Sequence, residues 1–255
     1  MDSQSAARLA LACLDLTSLN ERDTAADVIE LCARARGPHG TTAAVCVWPR
    51  FAALARRELP AGIAVAAVAN FPDGPFDVAR AVRDTRESVD AGAQEVDVVL
   101  PFARLMQGDA RAVAELLAAV RKACDGLALK VILETGVLAS DALIARAAQL
   151  SLDAGADFLK TSSGKTSISA TTQAATVMLG AIAADPRHAR VGFKASGGIR
   201  TVADATLYFG LVEKILGASA LSPKRFRIGA SSLLNDIEAV LGGTAAPPPA
   251  AAGIY

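Results

Sequence analysis

The chain alternates short apolar runs with longer stretches of helical period, eight times over, and few folds accept that pattern. Strands are predicted at residues 43–47, 63–69, 95–100, 127–133, 158–161, 191–195 and 227–229, with an eighth at 13–16. A helix running through Ala35 follows the first, opened by a capping-box-like Thr24-x-x-Asp27. Further helices are predicted at 51–57, 76–91, 110–123, 141–154, 172–184, 202–216 and 233–241. Gly92 and Gly155 each stand in Asp-Ala-Gly-Ala, where a helix C-terminus favours glycine before the next strand. Eight β-then-α units in 255 residues indicate one (β/α)8 barrel, the TIM-barrel architecture. A doubly wound sheet would usually have fewer strands and a G-x-G-x-x-G turn after the first, and the sequence contains none. The barrel domain is expected over residues 1–243. From Thr244 to Tyr255 the sequence becomes TAAPPPAAAGIY, whose consecutive prolines exclude a helix, so 244–255 reads as a flexible tail.

Composition narrows the function classes. Lys and Arg number 26 against 26 Asp and Glu, with the signs interleaved along the chain, so no nucleic-acid or membrane-surface footprint is expected. Cys13, Cys32, Cys46 and Cys124 lie in apolar surroundings without C-x-x-C spacing, as suits free thiols in a reducing compartment. The first ten residues, MDSQSAARLA, lack a secretory leader's pattern, and the longest Ala/Val/Ile stretch, 61–69, is too short to span a bilayer. A cytoplasmic protein is expected. With only His39 and His188, and no Cys/His cluster, no metal site is expected. Apolar residues on the outer helices leave room for a homodimer.

Barrel strands are buried on both faces, so an ionisable residue inside one is costly unless it is paired or functional. The fourth to seventh strands break the apolar rule in turn with Asp97, Lys130, Lys160 and Lys194. If all four point inward, three ammonium groups and one carboxylate converge. Like charges at that range disfavour protonation, each pKa unit being worth about 1.36 kcal/mol, and a lysine driven toward neutrality is the nucleophile that imine chemistry needs. The structural alternative is buried Lys–Asp pairing, which one carboxylate cannot supply to three lysines. Lys130 has a second candidate partner in Glu134.

Loops after the last strands of a barrel often hold phosphate on backbone N–H groups, with glycine allowing close approach. Three such loops occur in order: Ser162-Ser-Gly164-Lys165, Ser196-Gly197-Gly198-Ile-Arg200 and Gly229-Ala-Ser231-Ser232. The last two run directly into helices, whose N-termini favour anions. Plain tight turns are the alternative, but three at consecutive strand ends, beside Lys165 and Arg200, point to a phosphorylated small molecule. Gly164-Lys165-Thr166 is not a Walker A loop, because that motif needs glycine where this chain has Leu159.

With those residues in place the chain resembles the deoxyribose-phosphate aldolases, class I aldolases on a (β/α)8 barrel. The resemblance spans nearly the whole chain, through DLTSLN at 15–20, AVCVWPR at 44–50, NFPDG at 70–74, EVDVVLP at 95–101, KVILETG at 130–136, DFLKTS at 157–162, GFKASGG at 192–198 and RIGASS at 227–232. It implies an imine-forming lysine at Lys160, a second catalytic lysine at Lys194 and a catalytic carboxylate at Asp97; Lys130, flagged by its expected burial alone, is read as an assisting group beside them. It also implies phosphate contacts at Gly164, Lys165, Gly198, Arg200, Gly229, Ser231 and Ser232, with Gly197 in the same loop. Some members end in a tyrosine that helps move a proton, and Tyr255 holds that position here. The implied reaction is reversible cleavage of 2-deoxy-D-ribose 5-phosphate into D-glyceraldehyde 3-phosphate and acetaldehyde, with the imine as electron sink and no cofactor.

Two rivals remain at this level. A phosphosugar isomerase or epimerase on the same barrel would use carboxylate or histidine bases and have no use for converging lysines. A non-catalytic phosphosugar-binding protein would need no nucleophile, yet the sequence retains every group that the chemistry requires.

Overall fold

A computed structural model describes residues 1–243. Eight parallel strands close into a barrel: β1 (Leu14–Thr17), β2 (Ala44–Val47), β3 (Ala64–Ala69), β4 (Glu95–Val99), β5 (Ala128–Ile132), β6 (Phe158–Lys160), β7 (Gly192–Ser196) and β8 (Phe226–Ala230). Each pairs with its sequence neighbours, and β1 meets both β2 and β8, so no edge remains open. The eight strands lie within a residue or two of their sequence-based positions.

The outer ring consists of α1 (Ser3–Ala12), α2 (Ala25–Arg34), α3 (Pro49–Glu58), α4 (Val78–Asp90), α5 (Phe102–Met106), α6 (Ala110–Ala123), α7 (Thr135–Leu138), α8 (Asp141–Asp153), α9 (Thr172–Ala183), α10 (Val202–Leu216) and α11 (Leu233–Gly242). Helix α2 starts with the full capping box, Thr24 accepting from the Asp27 N–H while Asp27 accepts from that of Thr24. The two Asp-Ala-Gly-Ala turns cap α4 and α8 as their glycines suggested: Gly92 and Gly155 take φ of 83° and 81°, where a side chain would be strained. Several elements have no counterpart in the sequence reading, among them two single-turn 3-10 helices at Pro186–His188 and Ala218–Ala220. Four more are α1, the short α5 and α7, and a two-stranded antiparallel ribbon, Arg36–Gly37 with Gly40–Thr41. Helix α1 is capped by Asp2, buries Ala6, Ala7, Ala10 and Leu11, and packs against α10 and α11.

Alternation along each strand sorts its residues into two environments. Outward positions such as Leu14, Val45, Val65, Val96, Leu129, Leu159, Phe193 and Phe226 join the large core between barrel and helices. Each buried side chain of that size contributes about 1.5–3 kcal/mol. Inward positions differ around the barrel. Cys46, Ala66, Val68, Val99 and Ile132, with Leu19 and Phe71, form a second, smaller apolar cluster. Elsewhere, including the earlier inward positions of β4 and β5, charge turns inward.

Candidate active site

In-register residues on neighbouring parallel strands share a face, and the register aligns Asp97 with Lys130, Lys160 with Lys194, and Lys194 with Arg227. Asp15 on β1 is level with Gly229, two residues beyond Arg227 on β8. Glu95 lies two residues before Asp97 and so faces the same way. All seven charged side chains are buried.

They form one connected array with Asp97 as its hub. Asp97 Oδ2 accepts from Lys160 Nζ and Lys194 Nζ at 2.8 Å each, and Oδ1 accepts from Lys130 Nζ at 2.8 Å. Lys194 also donates to Asp15 Oδ2 and Lys130 to Glu95 Oε2, each at 2.5 Å. Arg227 joins the two remaining carboxylates, donating from Nη1 to Asp15 Oδ1 at 2.6 Å and from Nη2 to Glu95 Oε1 at 2.8 Å. The array therefore runs through the barrel, from Arg227 and Glu95 near the starts of their strands to Lys160 at the end of β6.

Four cations face three carboxylates, and the three lysines share them unequally. Lys130 lies within ion-pair range of Glu95, Asp97 and Asp15, and Lys194 of Asp15 and Asp97. Lys160 has only one oxygen of Asp97, which it shares with Lys194. Deprotonating Lys160 would balance the array. Burial depresses the pKa of all three ammonium groups, but the outcomes diverge. Lys194 is raised because Asp15 and Asp97 outweigh its burial, and Lys130 is raised by Asp97, Glu95 and Asp15. Lys160 alone is lowered: burial leads, Asp97 opposes it, and the Lys194 charge adds to it. Asp97 stays anionic, held well below the usual carboxylate range because the three lysines outweigh its burial.

Three expectations change. Lys130 does not pair with Glu134; it reaches Glu95 and Asp97, while Glu134 accepts from the Ser163 N–H and the Thr166 hydroxyl. The three lysines converge on Asp97 as expected, but it is not their sole carboxylate, since Asp15 and Glu95 share the work and Arg227 adds a fourth cation. Burial, more than cationic crowding, lowers the pKa of Lys160. The same rule that singled out Asp97, an ionisable residue inside an apolar strand, applies to Leu-Asp15-Leu and Phe-Arg227-Ile.

The three glycine loops meet at the C-terminal ends of β6, β7 and β8. Gly164, Gly197 and Gly198 have φ of 83°, 83° and 81°. A Cβ on Gly197 would stand 3.4 Å from Gly164 Cα, and the Gly197 N–H lies 3.5 Å from the Gly229 carbonyl, so the loops touch. A Cβ on Gly229 would fall 2.2 Å from Ser196 Oγ, a hydroxyl with no hydrogen-bond partner among the described residues. Lys165, Arg200, Ser231 and Ser232 are half-buried around this patch, and Gly198 is exposed. Burial lowers the pKa of Lys165, against the opposing charges of Asp23 and Glu21. Cys46 faces the array from β2 as a buried thiol, its pKa raised by burial and by Asp97. Tyr255 lies outside the described residues. Among those residues, no three His, Cys, Asp or Glu side chains are grouped to hold a metal, and no helix is long and apolar enough to cross a membrane. A cavity of about 530 Å³ opens at the other mouth, over Glu95 and Arg227, on the side of the barrel away from Lys160.

Comparison with known proteins identifies the family and the fold. A deoxyribose-phosphate aldolase of Agrobacterium fabrum is 49% identical over 251 residues, covering 97% of this chain and 96% of that protein. The crystal structure of an apo-form protein from Toxoplasma gondii ME49 superimposes with a TM-score of 0.87 at 25% identity, covering 96% of this chain and 99% of that one. A tetrameric deoxyribose phosphate aldolase from Aeropyrum pernix superimposes with a TM-score of 0.69 at 26% identity, covering 93% and 96%. The family model described as DeoC/LacD family aldolase matches residues 9–239, and the chain belongs to that family.

Proposed function

We propose that the protein cleaves 2-deoxy-D-ribose 5-phosphate reversibly into D-glyceraldehyde 3-phosphate and acetaldehyde through an imine on Lys160. The observation that carries this reading is the unequal sharing of carboxylates, which leaves Lys160 as the one lysine of the array with a lowered pKa, at the barrel's C-terminal end.

Neutral Lys160 attacks the C1 aldehyde, and loss of water gives a protonated imine. The C2–C3 bond then breaks. Its electron pair moves into the imine as an enamine, while the C3 hydroxyl loses its proton and becomes the aldehyde of glyceraldehyde 3-phosphate. That proton leaves toward Asp97 through a water, and Asp97, so strongly held as an anion, relays it instead of keeping it. Lys194 keeps its proton and opposes protonation of Lys160, and Lys130 fixes the other Asp97 oxygen. Protonation of the enamine carbon, by Tyr255 or a bound water, and hydrolysis release acetaldehyde. The phosphate rests on the loops carrying Gly164, Lys165, Gly197, Gly198, Arg200, Gly229, Ser231 and Ser232. No organic or metal cofactor enters these steps. Four buried free thiols suit a reducing, cytoplasmic setting, and a homodimer is the proposed assembly.

Borohydride reduction in the presence of acetaldehyde tests the chemistry. A two-carbon adduct mapping to Lys160, absent from Lys160→Met, supports the imine; a protein of unchanged mass refutes it. An isomerase using a carboxylate base would give no adduct.

A further inference from the structure

Glu134 is a fully buried carboxylate that no lysine or arginine neutralises among the described residues. It follows β5 in a left-handed conformation, φ 54° and ψ 57°, which is unfavourable for any residue with a Cβ. A buried carboxyl group without a cationic partner, on strained backbone, persists only where its surroundings hold it, and such positions cluster at functional sites.

The side-chain bonds of Glu134 all lead to one place, the loop from β6 to α9. Its carboxylate accepts the Ser163 N–H at 3.2 Å and the Thr166 hydroxyl at 3.2 Å. The next two residues continue the grip. Thr135 donates its N–H to Thr161 O at 3.0 Å, and a Cβ on Gly136 would fall 1.9 Å from Ile168 O, so only glycine lets the loop lie this close. From the other side, Gly197 packs so tightly that a Cβ there would meet the Ser169 side chain at 2.5 Å. Gly164 and Lys165 lie between the two points that Glu134 holds, and the Lys165 N–H is turned inward onto Ser163 Oγ at 3.1 Å.

We infer that Glu134 is a positioning residue for substrate specificity: by tying down Ser163 and Thr166 it holds Gly164 and Lys165 in the shape that receives the sugar's phosphate, and so sets the preference for phosphorylated over unphosphorylated substrate. The inference rests on the proposed phosphate loops. Glu134 touches none of the three lysines, so the chemistry at C1 should feel its loss far less than phosphate binding does.

The test compares kcat/KM for 2-deoxyribose 5-phosphate with that for unphosphorylated 2-deoxyribose, on the same preparations of wild type, Glu134→Ala, Glu134→Gln and Lys165→Ala. Glu134→Ala is expected to lower the ratio of the two by roughly 10-fold or more, the effect of losing a hydrogen bond to a charged group, through KM for the phosphorylated sugar. Glu134→Gln keeps an acceptor oxygen and should restore most of the ratio. Equal losses on both substrates, or an unchanged ratio, would overturn the inference. Lys165→Ala separates the two levels of the reading. An unchanged ratio there removes the phosphate loop itself, whereas a collapsed ratio there with a normal one in Glu134→Ala removes only the role of Glu134. If Glu134→Ala does not accumulate as folded protein, Thr166→Val decides by the same ratio, a several-fold fall supporting the inference and no change refuting it.

Discussion

Replacing Lys194 with methionine, which nearly preserves volume, should make Lys160 harder to deprotonate. Both Nζ atoms lie 2.8 Å from the same oxygen of Asp97, so they are at most about 5.6 Å apart. At an effective dielectric constant of about 20, two like charges at that separation repel by about 3 kcal/mol. Removing the repulsion shifts the balance between charged and neutral Lys160 by roughly 100-fold toward the charged form. Asp97, with one cation fewer, pulls in the same direction. Burial of Lys160, the larger influence, is unchanged, so the effect is partial. Imine formation requires the free amine, so its rate rises with pH through the Lys160 pKa, which in the wild type lies below the ordinary 10.5. In Lys194→Met that ascending limb should move to higher pH. Trapping with borohydride and acetaldehyde at neutral pH should slow about 100-fold and recover as the pH is raised. Trapping isolates imine formation from any later role of Lys194. An ascending limb that stays in place, or moves to lower pH, would refute the electrostatic account.

Arg227→Met should strand Asp15 and Glu95 as partly paired buried carboxylates, at a cost of about 3–5 kcal/mol read as a fall in Tm, and Arg227→Lys should rescue poorly because one ammonium cannot reproduce the fork. Asp15 and Asp97 are both lowered from 3.8 in the fold, because their cationic partners outweigh their burial; their stabilisation is complete above about pH 4 and is lost as the pH falls below it. Tm measured against pH should therefore drop steeply below about pH 4, and a flat profile would contradict the ion pairs. All four cysteines are buried, with burial pushing Cys13 up to about 12 and Cys32 up to about 11. Titration of the native protein with a thiol reagent at neutral pH should find no fast-reacting group, whereas the unfolded chain should expose all four.

Much of the fold is legible because a barrel strand must be apolar on both faces, so the runs around Val45, Val65, Val98 and Val131 stand out without help from periodicity. The same logic makes Asp97, Lys130, Lys160 and Lys194 conspicuous. Asp15, Glu95 and Arg227 obey it too, but each stands near the start of a short strand, where a charged residue can equally well belong to the preceding loop. The pairing of Lys130 with Glu134 fails for a backbone reason. Four residues apart in a continuing strand they would share a face, yet the chain leaves the strand at Glu134 in a left-handed turn. Helix α1 escapes notice because its buried side is mostly alanine, and α7 is a single turn set by contacts with the neighbouring loop.

The seven charged residues are drawn from six of the eight strands, and the bond between Arg227 and Asp15 spans 212 positions of the chain, across the seam where the last strand meets the first. No fragment of consecutive β/α units therefore holds the complete set. During refolding, helix content can return while the barrel is still open, but catalytic turnover must wait for the seam to close, which is the slowest kind of contact to form by chain diffusion. Recovery of turnover is thus a clock for ring closure, and it should lag behind recovery of the helical circular dichroism signal.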